Sequence, residues 1–143
     1  NMDDAIEATV ERARSIFTEF MQKPYEKLSF MRIGLRWIDF ARTEPNLYKL
    51  LFVPSARGAR LTTPLNVFMN FEGLTEKIVP IVASEFGLSG DKAYRLYNQM
   101  IIHAHGMACI LVSGQTDFTE QSIREIFSET VESLVGYYKK SEE

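Results

Sequence analysis

Apolar residues recur every three or four positions along most of this chain, which is the spacing of one helix face. From Met2 to Met21 they are Ile6, Val10, Ala13, Phe17 and Phe20. The stretch from Leu28 to Arg42 is apolar on most of its circumference, which is typical of a helix that others surround. Pro45 suits the first turn of a short helix, PNLYKLLF, because its missing N–H is not needed there. The pattern therefore predicts an amphipathic, a central and a short helix in succession.

The second half of the chain predicts three more helices. Val53 to Pro64 contains Pro, Gly and Ser without a sustained period, so we expect a loop there. A fourth helix is expected from an Asn66 cap to Gly87, a fifth from a Ser89 cap to Gly114, and a sixth from Thr119 onward. No strand-like alternation of useful length occurs. The predicted fold class is all-α, with six helices in one domain spanning residues 1–143.

The composition is that of a globular domain and excludes several classes of protein. Of the 143 residues, 45% are hydrophobic and 24% charged, and the net charge of -3 argues against a basic nucleic-acid surface. A single cysteine cannot form an internal disulfide. The longest nearly uncharged run, Met100 to Ser113, falls short of the roughly 20 residues that span a bilayer. We expect a cytoplasmic protein without a membrane segment.

Both histidines and the only cysteine lie in the stretch IIHAHGMACILVSG. His103 and His105 would project roughly 200° apart on a helix, so they cannot share one metal ion. His105 and Cys109 share a face, yet zinc takes at least three protein ligands and no third is near in sequence. Burial would raise the pKa of the Cys109 thiol and keep it inert. Since phosphate-loop, dinucleotide and metalloprotease motifs are also missing, we expect no catalytic residue, metal or cofactor.

The aromatic residues and one glycine suggest two further features. Ten Phe, six Tyr and one Trp make a bulky interior that either fills the core or leaves an apolar cavity between helices. Gly106 costs roughly 1 kcal/mol against Ala within a helix, so we expect another helix to approach it closely. The last two helices also have more apolar surface than one chain of this size easily covers. Homodimerisation through them is our hypothesis.

Two segments resemble a known family. DFARTEPNLYKLLF (Asp39 to Phe52) and AYRLYNQMIIHAHGMACILVSG (Ala93 to Gly114) are similar to the C-terminal ligand-binding and dimerisation domain of TetR-type transcriptional regulators. The second resembles the Trp-His-Gly signature of one subgroup. His105 and Gly106 match its His-Gly pair, while Ile101 stands where the tryptophan is expected.

The resemblance implies a dimeric regulator that senses a small, largely apolar molecule. A helix-turn-helix domain of roughly fifty residues should precede residue 1 and make all contacts with DNA. The last two helices should pair with their copies as a four-helix bundle. The expected dimer interface is Ile102, Gly106, Ile110, Ile123, Phe127, Val131, Leu134 and Tyr138. The alternative is a purely structural homodimerisation module without a ligand.

The remaining helices should hold the ligand. Chosen by helix position and bulk, the expected lining residues are Phe17, Phe20, Met21, Trp37, Phe40, Phe68, Phe71, Asn98 and His105. His105 would either orient the ligand or satisfy a backbone carbonyl.

Overall fold

Six α-helices make up the described part of the chain. The computed structural model describes residues 1–53 and 73–140. The helices are α1 (Met2–Gln22), α2 (Phe30–Thr43), α3 (Pro45–Phe52), α4 (Leu74–Phe86), α5 (Gly90–Val112) and α6 (Glu120–Lys140). These two ranges contain no strand. The prediction of an all-α fold with six helices is therefore confirmed.

Local sequence signals explain where most helices begin. Ser89 accepts a hydrogen bond from the third backbone N–H of α5, as predicted for its cap, and Pro45 is the first residue of α3. Thr119 and Ser122 exchange hydrogen bonds at the start of α6, at 2.9 and 3.0 Å. Ser29 caps α2, which consequently begins two residues after the predicted start.

The fourth helix is shorter than predicted. Its described part starts at Leu74 because Gly73 has φ 71° and ψ 22°, a left-handed conformation that a continuous right-handed helix cannot contain. At the other end Gly87, with φ 63°, terminates α4 as predicted. The proposed cap Asn66 and the predicted lining residues Phe68 and Phe71 lie outside the described residues, as do positions 54–64 of the predicted loop.

Helix α2 occupies the centre of the domain. It contacts each of the other five helices, as its nearly continuous apolar surface predicted, and α5 packs on α2, α3, α4 and α6. Aromatic rings fill the space between α1, α2 and α3. The Phe17 ring centroid lies 5.0 Å from those of Trp37 and Phe40 and 5.2 Å from that of Phe52, all edge to face. Such pairs add to the stability that area burial provides, so this part of the interior is packed.

A glycine on α2 sets how closely α6 can approach. A Cβ atom added to Gly34 would overlap the Phe127 ring, and Phe127 is only 1% exposed, so the ring has little room to move aside. The sequence pattern did not single out Gly34. Its role depends on a contact with a residue far along the chain, which no local period reveals.

We predict that Gly34→Ala destabilises the domain by about 1–3 kcal/mol, the usual cost of overpacking, reduced by up to about 1 kcal/mol of helix propensity. Gly136→Ala in α6 is the matched control, because nothing lies within 4 Å of its added Cβ. That variant should gain about 0.5–1 kcal/mol. Urea unfolding of both variants measures the difference, and equal stabilities would contradict the close approach of α2 and α6.

Candidate functional site

A short chain of hydrogen bonds joins three helices in the interior. Trp37 of α2 donates its indole N–H to the hydroxyl oxygen of Tyr48 in α3, at 3.1 Å. The same oxygen lies 2.7 Å from Nδ1 of His105 in α5. Tyr48 and Trp37 are buried, and His105 is half-buried. One hydroxyl thus connects α2, α3 and α5.

Elementary hydrogen-bond chemistry favours one placement of the protons. The indole N–H of Trp37 is a donor only, so the Tyr48 oxygen accepts there, and the arrangement in which the hydroxyl donates to Nδ1 of His105 uses its own proton as well. In that arrangement His105 is neutral and carries its proton on Nε2. Burial supports this state, since it lowers the pKa of His105 and raises the pKa of Tyr48. The structure shows a contact of His105 with a tyrosine hydroxyl, and the expected role of His105 toward a ligand or a carbonyl stays a prediction.

Cys109 lies one helical turn beyond His105. Its sulfur is 3.4 Å from Nε2 of His105, and it is a weak acceptor in the arrangement that places the proton on that nitrogen. Burial raises the pKa of Cys109, as the sequence predicted, and keeps it a thiol. His103 points to another side, with its ring centroid 6.1 Å from that of Phe127. Within residues 1–53 and 73–140, no three His, Cys, Asp or Glu side chains are grouped to hold a metal ion.

An apolar cleft of about 190 Å³ lies between α1, α2 and α4. We call it the α1–α4 cleft. Its described lining is Phe17, Thr18, Met21, Gln22, Tyr25, Ile33, Leu74, Lys77, Ile78 and Ile81. Most of these side chains are apolar, and Lys77 is the only charged one among them. An engineered apolar cavity of about 150 Å³ binds benzene, so this cleft accommodates one ring with small substituents.

The space beside Trp37 is much smaller. It measures about 20 Å³ and shares Met21, Ile33, Leu74 and Ile78 with the α1–α4 cleft. That volume is close to the minimum for one water molecule. The room for a ligand is therefore next to the Trp37 cluster and not within it.

The structure brings together only some of the predicted ligand-binding residues. Phe17 and Met21 line the α1–α4 cleft, and Trp37 lines the small space beside it. Phe40 is fully buried in the aromatic cluster. Phe20 lines a different, charged cleft between the end of α1, α2 and the start of α6.

The two polar candidates on α5 lie elsewhere. Asn98 is half-buried, and neither it nor His105 lines the α1–α4 cleft. Among the lining residues that were not predicted, Leu74 and Ile78 belong to the apolar stripe of the fourth helix, so its period could have identified them. Nothing in the sequence marks Lys77.

Arg36 closes the end of α1 beside the cleft. Its guanidinium donates to the carbonyl oxygens of Met21, at 3.4 Å, and Pro24, at 3.3 Å, and also to that of Lys23. It lies 3.6 Å from the centre of the Tyr25 ring. The Met21 carbonyl belongs to the last turn of α1, where carbonyls have no partner within the helix, and the other two carbonyls follow the helix. The Arg36 contacts hold Tyr25, which lines the α1–α4 cleft, in place.

The predicted dimer-interface residues divide into two groups. Ile123, Phe127, Val131 and Tyr138 are buried within this chain and belong to its own core. By contrast, the surface carries Ile102, Gly106, Ile110 and half-buried Leu134.

Ile102 and Leu134 line one open groove between α5 and α6. An added Cβ at Gly106 would meet nothing within 4 Å. The close approach expected at this glycine is therefore not made by another described helix of the same chain.

The six helices and the match to a family model define the class of protein. The family described as "Tetracyclin repressor-like, C-terminal domain" matches residues 30–134. The chain therefore belongs to this family, which confirms the family resemblance seen in the sequence; the Trp-His-Gly subgroup stays a prediction. No curated protein matches the chain, and no solved structure does. None of the helices in the described ranges is long and apolar enough to cross a membrane.

We predict that Tyr48→Phe destabilises the domain by about 1–3 kcal/mol, because it removes the two hydrogen bonds that the Tyr48 hydroxyl makes with Trp37 and His105, each worth roughly 0.5–1.5 kcal/mol. Tyr137→Phe is the control, since Tyr137 is 62% exposed and its hydroxyl reaches water. Urea unfolding gives both values. A Tyr48→Phe variant as stable as the control would show that the shared hydroxyl contributes nothing.

Proposed function

We propose that this chain is the effector-binding and dimerisation domain of a TetR-type regulator. It would sense a small, largely apolar molecule and control DNA binding by a helix-turn-helix domain preceding residue 1. Family membership supports the regulatory role, and a net charge of -3 is consistent with DNA contacts being made by another domain. The proposed role is regulation of transcription and not catalysis. The protein would act in the cytoplasm, where a regulator meets its DNA.

The observation that carries the sensing role is the α1–α4 cleft. A ligand seated there would contact Phe17 and Met21 of α1, Ile33 of α2 and Ile78 of α4. Burial of apolar ligand surface stabilises the complex by roughly 25 cal/mol per Å². Because the occupant would touch α1 and α4 together, it would favour one arrangement of the two helices.

Helix α1 offers a route from the cleft toward the DNA-binding domain. It spans Met2–Gln22, with its cleft residues in the second half and its first half almost entirely exposed. A rigid helix transmits a change at one end to the other. A ligand-dependent shift of α1 would therefore reach the domain that precedes it.

Dimerisation would use the exposed apolar surface of α5 and α6. Ile102 and Ile110 are 52% and 45% exposed, and Gly106 lies between them on the same face, at four-residue spacing. A twofold axis beside this face would pair each patch with its own copy. The lack of a side chain at Gly106 would then allow α5 of one subunit to approach α5 of the other closely. The four predicted interface residues that are buried in this chain, Ile123, Phe127, Val131 and Tyr138, would pack beneath this surface.

A structural dimer module without a ligand remains the second candidate. The tight packing around Trp37 favours it, because the space there is only about 20 Å³. The two functions differ in whether the α1–α4 cleft takes up small molecules.

We predict that apolar compounds of one ring raise the melting temperature of the wild-type domain and that Ile81→Trp abolishes the effect by filling the cleft. Ile81 lines the cleft and is half-buried. Ile16→Trp is the control, because Ile16 is also a half-buried isoleucine but does not line it. A thermal-shift panel is the measurement. Wild-type protein unaffected by any compound would support the structural module instead.

We predict that Ile102→Asp weakens self-association at least tenfold, since it places charges at the centre of a twofold interface. Ile6→Asp is the matched control, as Ile6 is an isoleucine that is 43% exposed on α1. Sedimentation velocity over a concentration series measures both. A monomeric wild type, or a dimer insensitive to Ile102→Asp, would contradict dimerisation through α5 and α6.

A further inference from the structure

One charged side chain stands in the otherwise apolar wall of the α1–α4 cleft. Lys77 is exposed on α4, and its neighbours along the same wall are Leu74, Ile78 and Ile81. In the described part of the chain, Lys77 makes none of the ion pairs or side-chain hydrogen bonds found elsewhere on this surface. Its ammonium group is therefore available at the cleft.

No carboxylate is among the described lining residues of the cleft, so none neutralises the Lys77 charge there. Glu76 precedes Lys77 but does not line the cleft. It lies on the side of Gly73, where an added Cβ would be 3.7 Å from its carboxylate oxygen. The other polar groups of the described lining are Thr18, Gln22 and the hydroxyl of Tyr25. All three are neutral. Thr18 and Gln22 can donate a hydrogen bond to an anion, whereas the Tyr25 hydroxyl donates to the carbonyl oxygen of Met21 at 3.5 Å.

We infer that the ligand of this cleft is an amphipathic monocarboxylate. This inference rests on the proposed function. Its apolar body, one aromatic ring or a short branched chain, fills the volume of about 190 Å³ against Phe17, Ile33 and Ile78. Its carboxylate lies at the mouth beside Lys77, where it gains a charge-assisted hydrogen bond. A cationic ligand of the same size would bind more weakly, because the same ammonium group repels it.

Two probes of the same shape test this inference. The acid 3-phenylpropanoate and its neutral amide, 3-phenylpropanamide, differ only in the charged head group. Calorimetric titration of the wild-type chain at pH 7.5 should give about threefold or greater preference for the acid, as expected for a partly exposed ion pair. The preference should decrease as salt is added, because ions screen an exposed pair.

Three variants assign the preference to the site. Lys77→Met should bind both probes equally, with its affinity for the amide unchanged. Lys49→Met, on the exposed side of α3, should keep the wild-type preference. Ile81→Trp should bind neither probe. Circular dichroism should show the same helix content in all of them.

The remaining outcomes separate the two proposals. Equal binding of acid and amide by the wild type would overturn the carboxylate inference and leave the apolar sensing function intact. A preference that survives in Lys77→Met would overturn the role of Lys77. Failure of both probes to bind the wild type would overturn the monocarboxylate inference together with ligand sensing by this cleft.

Discussion

The arrangement of the domain depends on the hydroxyl of Tyr48. It accepts from Trp37 at 3.1 Å and lies 2.7 Å from Nδ1 of His105, in an interior whose other buried side chains, within the described residues, are mostly apolar. A buried polar group without a partner is costly, so these bonds favour a single relative position of α2, α3 and α5. The Phe17 cluster packs α1 against the same three-helix unit. The hydrogen bonds and the Phe17 cluster thus hold α1, α2, α3 and α5 together as one packed unit.

The open side of the domain contains the α1–α4 cleft. Proline at position 80 removes one internal hydrogen bond of α4, and a left-handed glycine marks where the described helix starts. The cleft separates this weakened helix from the second half of α1. Ile78 and Val82 of α4 belong to the core, so a ligand in the cleft would act on the packing between α4 and α1.

The helical fold could be predicted from the sequence because it depends on local signals. The spacing of apolar residues identifies each helix within a few turns. The helix boundaries are marked by single residues, namely Ser89, Pro45 and Gly87. The site depends on distant contacts, which periodicity does not contain. A bulky aromatic such as Phe40 looks the same in sequence whether it lines a cavity or fills a core. Likewise, the stripe of α6 that a dimer could have covered is already covered by the chain itself, since Gly34 lets Phe127 approach α2.

The protonation state of His105 tests this account most directly, because the direction of both hydrogen bonds on Tyr48 follows from it. Long-range proton–nitrogen NMR correlations at pH 7.5 distinguish the two neutral tautomers from the imidazolium. The account predicts a neutral ring with its proton on Nε2 and with Nδ1 accepting from Tyr48. A ring protonated on Nδ1, or on both nitrogens, would contradict it, because the Tyr48 oxygen would then have to accept from both neighbours.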